Sequence, residues 1–447
     1  MGMINAVAII GFLIMLAMYF PISGYLRNRM TVVEQSGAAV RARNNQKRKN
    51  VARSKGSRNQ TQVNLDNPQD RMIGLTVFVA VMVVAFLLRV IIGGVYHGHE
   101  QDMSCFIAWA DMVYNDGFHK FYTTMTEGYP PGYIYILYVI GWLRHIFSIP
   151  WNSAMSDILT KMPNILTDLG MGYLIYKVAS EKFRETGAAL LSAVYLFCPA
   201  IILDSVVWGQ TDSIYVVFLA WMFYLIAKKK LIPSYFLFAL AILLKPQAMM
   251  FAPVLLYGII DHVFLEDFNW KKFGINLGMG LVAILCMVIA VLPYGLQKVI
   301  SLYTNTVGSF EYASVNAYNF WTLVGKNWIS QGDRGFGLSY QTWGTIFILL
   351  IVIATAFVNF RCKKTEAKYT YIGGMLIIGI FMFSVRMHER YMYPAMAFML
   401  LAYVMKPRRD VFILYCLSAM HFFYNVAHVL FKYDAANYDW HSPILFA

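Results

Sequence analysis

Ionisable residues recur in this chain flush against apolar runs. Asp102 and Glu100 follow a long hydrophobic stretch, Lys245 follows Ala241-Ile242-Leu243-Leu244, and Arg386, His388 and Arg390 follow Phe381-Met382-Phe383-Ser384-Val385. An uncompensated charge at the edge of a hydrocarbon layer is costly, so such groups are kept where they face water, one another or a ligand. Cations at that depth suit a ligand with negative charge at headgroup level and a body in lipid, as a polyprenyl phosphate has. Arg386 and Arg390 carry the planar fork that holds phosphate oxygens in pairs, and Lys245 is a point charge. A carboxylate beside them suits sugar transfer from that lipid, because it can take the proton of an acceptor hydroxyl as the hydroxyl oxygen attacks the anomeric carbon. Asp102 is the candidate base. Glu100 is its rival, two residues away and therefore on a different helical face.

Tyr129, Gln210, Asp212, Gln247 and His388 stand at the same apolar ends and complete the set of candidate substrate-binding residues. Each has a plainer use as well. Tyr129-Pro130-Pro131 suits a turn that orients the next helix as well as it suits a sugar contact. Asp212 can cap a helix beginning at Ser213, accept from a sugar or meet a cation. His388, between Met387 and Glu389-Arg390, can belong to an ion-pair cluster or bind a ligand. His97 and His99 invite a metal, but only Glu100 and Asp102 stand near them and the His-Glu-x-x-His spacing is missing, so no metal or other cofactor is expected.

Positioning these groups falls to membrane helices. The 447 residues are 59% hydrophobic and 14% charged, with mean hydropathy +0.52, which describes a polytopic all-α membrane protein. Apolar runs of about 20 residues, the length that crosses the hydrocarbon layer as a helix, recur along the chain, so about 12 transmembrane helices are expected. Five scattered cysteines support neither a disulfide framework nor a zinc site. Residues 1–26 read as a retained transmembrane anchor. Residues 27–71 read as a disordered cytoplasmic linker, rich in Lys, Arg, Asn, Gln and Ser. The net charge of +13 does not indicate nucleic acid, because that linker lacks stacking aromatics and the remaining cations gather in short loops: Lys228-Lys229-Lys230, Lys271-Lys272, Arg361 with Lys363, Lys364 and Lys368, and Lys406 to Arg409. The positive-inside rule places those loops in the cytoplasm and the ionisable candidates above on the outer face. Outer loops then cover 96–131 and 293–341, the first carrying an interfacial helix whose Phe106, Trp109, Ala110 and Val113 lie along the membrane surface. The second is long enough to act as a lid that selects the acceptor. Gly132 to Ile149 either spans the membrane or is a re-entrant or interfacial helix; the parity of the cationic loops favours the latter.

The ordered set Asp102 to Tyr135, Trp208-Gly209-Gln210-Thr211-Asp212-Ser213, Lys245-Pro246-Gln247 and Met387-His388-Glu389-Arg390 resembles membrane glycosyltransferases of the GT-C superfamily. The likeness is to bacterial relatives of the second mannosyltransferase of GPI-anchor synthesis and to the dolichyl-phosphate-glucose-dependent glucosyltransferases, and it covers most of residues 72–447. It implies an inverting transfer of mannose or glucose from a polyprenyl-phosphate donor to a glycolipid or glycan acceptor, at the extracytoplasmic face of the cell membrane. It also implies Asp102 as base and His388 with Arg390 on the donor phosphate. Two departures stand out: Pro246 separates Lys245 from Gln247, and Gly128 rather than an acid precedes Tyr129, with Glu127 one position further back. A transporter or flippase of an anionic glycolipid is the competing class. Such proteins show inverted repeats and midplane charges, whereas here no repeat is evident and the charges gather toward one face.

Overall fold

The structure, a computed structural model, describes residues 68–124, 129–266, 268–308, 310–362 and 365–432. The anchor and nearly all of the basic linker, together with Glu127, Gly128, Lys363 and Lys364, lie outside the described residues. Helices run Pro68–Val95 (α1), Glu100–Thr124 (α2), Pro131–Ile146 (α3), Ala154–Ser180 (α4), Glu185–Leu196 (α5), Asp212–Ala227 (α6), Leu231–Leu244 (α7), Ala252–Ile259 (α8), Trp270–Val291 (α9), Leu296–Gly308 (α10), Tyr340–Arg361 (α11), Lys368–Phe383 (α12), Tyr393–Met405 (α13) and Arg409–Lys432 (α14). A two-residue ladder, Arg334–Gly335 with Leu338–Ser339, is the one sheet among the described residues.

Five stretches are long and apolar enough to cross a membrane: Gln69–Val95, Pro246–Leu265, Trp270–Tyr294, Tyr340–Arg361 and Arg409–Lys432. A sixth qualifies if α5 and the segment Pro199–Trp208, bent 46° from it, form one span. Length and hydropathy thus mark five or six of the dozen spans expected. The shortfall has two causes. Helices α6, α7, α12 and α13 are apolar but short, and α4 carries Asp157, Lys161, Asp168 and Lys177 within its 27 residues.

Polar contacts tie the helix ends into two sets. One end holds Glu181 with Lys228 (2.7 Å), Lys229 with Glu266 (2.9 Å) and Asp261 with Lys368 (2.5 Å). The other holds His97 with Asp157 (2.8 Å), Asp212 with Lys245 (2.8 Å) and the Tyr294 hydroxyl on the Pro131 carbonyl (3.1 Å). Exposed side chains such as Leu87 and Ile91 on α1, Leu281 and Leu285 on α9, and Ile353 and Phe357 on α11 leave these helices bare to lipid.

Helices α2 and α3 form a hairpin at the second end. Phe106, Ala110 and Val113 of α2 are fully buried, and a Cβ on Gly141 of α3 would lie 2.2 Å from the Ala110 carbonyl. The apolar stripe of α2 therefore packs into protein, not along a membrane surface as its periodicity suggested. A pattern of period 3.6 shows that a helix has an apolar face; it does not show what covers that face.

Two buried groups pin the scaffold beneath this end. Arg89 of α1 meets Asp168 of α4 at 3.1 Å, with both side chains sealed from solvent. Asp168 also accepts from Ser205 (2.7 Å) and from the Tyr393 hydroxyl (2.9 Å).

Candidate active site

The site begins where two backbones meet. Beyond α5 the chain runs through Pro199–Ile202 and a wider π-helical turn, Leu203–Trp208, and stops at Gly209 in the left-handed region (φ +92°). A Cβ there would lie 2.5 Å from Met103 Sδ. Opposite it, Gly98 has φ +111° and no room for a Cβ, which would lie 2.4 Å from the Trp208 carbonyl. Glycine alone permits both the conformation and the approach. The His99 amide donates to that carbonyl at 3.0 Å, which seats the first turn of α2 directly over Trp208.

This seating places Asp102. Its Oδ2 accepts from Trp208 Nε1 at 2.8 Å and Gln210 Nε2 at 2.6 Å, and lies 3.2 Å from His99 Nδ1. The imidazole of His99 stacks on the Trp208 ring, centroids 5.0 Å apart. His99 Nδ1 is also 3.4 Å from the Asp102 amide; with a proton it donates to the carboxylate, and without one it accepts from the amide. Among the described residues Oδ1 of Asp102 takes no hydrogen bond, so one oxygen is fixed and the other is free. Burial, the largest single influence, pushes this carboxyl up. The hydrogen bond from His99, the Arg390 charge, the hydrogen bond from Trp208 and the His99 charge together outweigh it and bring the group from 3.8 down to about 2. Glu100 lies outside this cluster: it is 88% exposed, 3.8 Å from His97, whose other nitrogen is held by Asp157.

Around Asp102 stand most of the other candidates. Lys245, at the end of α7, is buried against Asp212 at 2.8 Å. Asp212 is the first residue of α6, yet its carboxylate serves Lys245 and not as a helix cap, which corrects the capping alternative. The Lys245 charge is thereby matched within the protein. Thr211 Oγ1 donates to the Tyr129 hydroxyl at 3.4 Å, while Tyr129 also joins a ring cluster with Phe106, Trp109 and Tyr133. Gln247 donates to the Tyr391 hydroxyl at 3.1 Å. Arg390 donates to Glu389 at 2.7 Å and lies within electrostatic reach of Asp102 and Tyr129. His388 is buried; its burial, with the Arg390 and Lys245 charges, holds it well below the usual imidazole range, so it is neutral.

Arg386 is directed elsewhere. In the left-handed region at φ +63°, it donates from Nε to Gln331 at 2.8 Å and from its amide to the Tyr312 carbonyl at 3.0 Å. It belongs to the strap formed by residues 310–340. Asn316, Asn319, Asn327 and Thr322 of that loop spend their side chains on its own backbone and on each other, and Asn425 of α14 ties it to the bundle through the Tyr318 amide and Asn316 carbonyl.

Sequence reading did not single out His99 and Trp208 as supports for Asp102; the ion-pair cluster it offered at His388-Glu389-Arg390 is present as the pair of Arg390 with Glu389. It also passed over the Arg89–Asp168 pair, although an Arg inside the most apolar stretch of the chain was signal enough. Seven of the fifteen buried side-chain polar atoms without a hydrogen-bond partner among the described residues lie here: both carboxylate oxygens of Asp204, Gln210 Oε1, Asp212 Oδ2, Gln247 Oε1, His388 Nε2 and Arg390 Nε. Acceptors crowd around Asp102, with Arg390 as the strongest donor. Buried polar atoms in folded proteins usually have a partner, protein, water or ligand, so each of these calls for an occupant.

Residues 138–294 match a protein family described as dolichyl-phosphate-mannose-protein mannosyltransferase. The match spans α4 to α9 and includes Asp204, Gln210, Asp212, Lys245 and Gln247, and it supports a glycosyltransferase of the GT-C type, an enzyme acting within a membrane. No curated protein matches the chain.

Proposed function

We propose that the chain is an inverting glycosyltransferase that moves a hexose, mannose or glucose, from a polyprenyl-phosphate donor to a hydroxyl of a glycolipid or glycan acceptor at the extracytoplasmic face of the cell membrane. The observation that carries this reading is the Asp102 carboxylate, with Oδ2 held by Trp208, Gln210 and His99, Oδ1 without a hydrogen bond among the described residues, and the Arg390 charge within electrostatic reach. The acceptor oxygen attacks the anomeric carbon from the face opposite the phosphate. The bond from that carbon to the phosphate oxygen breaks, its electrons pass to the phosphate, and the hydroxyl proton passes to Oδ1. Fixing Oδ2 orients Oδ1 without adding a competing proton donor.

Arg390 links the two halves of the reaction. Its charge helps hold Asp102 down; when a donor phosphate takes up part of that charge, the pull on Asp102 weakens and the base strengthens as substrate arrives. Neutral His388 supplies a hydrogen-bond donor toward the same phosphate. Lys245, matched by Asp212, holds the floor of the site instead of adding a free charge.

Support for the membrane face comes from the two sets of helix ends. Counting the shorter apolar helices and α4 as crossings, successive passes alternate between the ends, and Lys228 to Lys230, Lys271, Lys272, Arg361 and Lys406 to Arg409 fall on the end away from Asp102. Among residues 68–432 that gives eleven passes.

The test uses purified protein in lipid with labelled polyprenyl-phosphate mannose or glucose and a membrane glycolipid extract. Polyprenyl phosphate should be released. Asp102→Asn should lower kcat by roughly 10²–10⁴-fold with donor affinity nearly unchanged, while Glu100→Gln leaves both intact. Full activity in Asp102→Asn removes the assignment of the base.

A further inference from the structure

Asp204 is a fully buried acid of the site, and the one with neither oxygen engaged. It sits in the π-helical turn Leu203–Trp208 with no solvent exposure, and neither of its carboxylate oxygens has a hydrogen-bond partner among the described residues. Its backbone is fully used, since its carbonyl accepts from the Gly209 and Gln210 amides at 3.2 and 3.0 Å. The turn therefore holds the residue in place and leaves the side chain unspent. Its charged neighbours are Asp212, Lys245, Arg390 and Asp168. Each cation among them already has a carboxylate: Lys245 has Asp212 at 2.8 Å and Arg390 has Glu389 at 2.7 Å.

We propose that Asp204 grips hydroxyls of the sugar being transferred and so decides which hexose the site accepts; this rests on the transferase reading above. The site holds four acids, Asp102, Asp204, Asp212 and Glu389, and two cations, Lys245 and Arg390, each already facing another acid, so Asp204 itself offers nothing to a phosphate. A sugar hydroxyl both donates and accepts, so it satisfies the oxygens of an enclosed acid that burial without a partner keeps neutral. Gln210 Oε1, Asp212 Oδ2 and Gln247 Oε1 are further unmatched acceptors of the same surroundings, which is the pattern a polyhydroxylated ring would fill. A cation is the poorer occupant: among the described residues no group of three or more His, Cys, Asp or Glu is arranged to hold one. A buried acceptor discriminates strongly, because a substrate lacking the matching hydroxyl leaves the acceptor unpaired.

The test pairs substrate and protein changes. Transfer from polyprenyl-phosphate mannose and glucose is measured beside each mono-deoxy analogue, in wild type and in Asp204→Asn, with thermal unfolding recorded for both proteins. Removing one particular hydroxyl should lower wild-type kcat/KM on the order of 10²-fold. Asp204→Asn should lower kcat/KM for the parent donor by a similar factor yet add almost nothing for that analogue, and its Tm should equal or exceed that of wild type, since the carboxylate has no protein partner to lose. A variant that penalises every analogue alike, or that unfolds at lower temperature, overturns the proposal by making the role structural. Wild-type transfer abolished by a chelator, restored by a divalent cation and insensitive to the cation in Asp204→Asn overturns it in favour of a metal. In each of these cases transfer by wild type leaves the transferase reading standing. Wild type that releases no polyprenyl phosphate from either parent donor overturns that reading, and this proposal with it.

Discussion

Two acids two residues apart, Glu100 and Asp102, have opposite surroundings: one is 88% exposed, and the other has an oxygen held by an indole, an amide and an imidazole. Those donors make Asp102 a weak base in the resting protein, and a pH consequence follows. A carboxyl with a folded pKa of about 2 against an ordinary 3.8 stays ionised well into acid. It contributes stability that is fully present above about pH 4 and is lost as pH falls toward about 2. The kcat/KM profile, which reports the free enzyme, should therefore be flat between about pH 5 and pH 7. The kcat profile reports the donor complex, where phosphate draws on Arg390, and its acid limb should lie at higher pH. A proton-linked loss of kcat/KM centred between about pH 5 and 7 and unchanged in Arg390→Lys would place the base elsewhere.

At the scale of elements, the site depends on how closely the start of α2 approaches the turn at Trp208. Gly98→Ala puts a methyl 2.4 Å from the Trp208 carbonyl in a backbone region that L residues rarely adopt. It should displace Asp102 and lower kcat on the order of 10²-fold, as misplacement of about 1 Å does, with a smaller effect on KM; steady-state kinetics check this. Below that contact, Arg89 and Asp168 join α1 to α4, to the π-helical turn and to the start of α13. Arg89→Met leaves a buried carboxylate without its cation and should cost about 3–5 kcal/mol, read as a drop in thermal unfolding temperature. The double variant Arg89→Met with Asp168→Leu should recover part of that loss, because apolar side chains of similar size replace a buried ion pair at little cost.

Seen whole, the molecule is a bundle whose two ends differ in kind. Near Asp102 the polar groups are buried and partly unmatched, and at the other end exposed ion pairs such as Lys228 with Glu181 and Lys229 with Glu266 tie helix to helix. If the first end faces outward, a cysteine introduced at Asp333 in a background without native cysteines should react with a membrane-impermeant thiol reagent added to intact cells. Cys362, exposed beside the cationic loop, should react only after the membrane is opened. The reverse labelling pattern would invert the orientation.

The membrane class, the helices and the position of Asp102, Asp212, Lys245, Gln247, His388 and Arg390 at apolar ends could be read from order and composition alone, because the cost of a charge in lipid acts on each residue by itself. Pairing is another matter. Whether Asp212 capped its own helix or met Lys245 from the next, whether Arg386 or Arg390 turned toward the carboxylate, and whether the stripe of α2 met lipid or α3 depended on which helix ends came together. Tertiary structure decided those, since an ion pair or a packed face is a property of two segments at once. The same reason hid Asp204: an acid at the end of an apolar run looks like any other until its surroundings show that it has no hydrogen-bond partner while Lys245 and Arg390 each face another carboxylate.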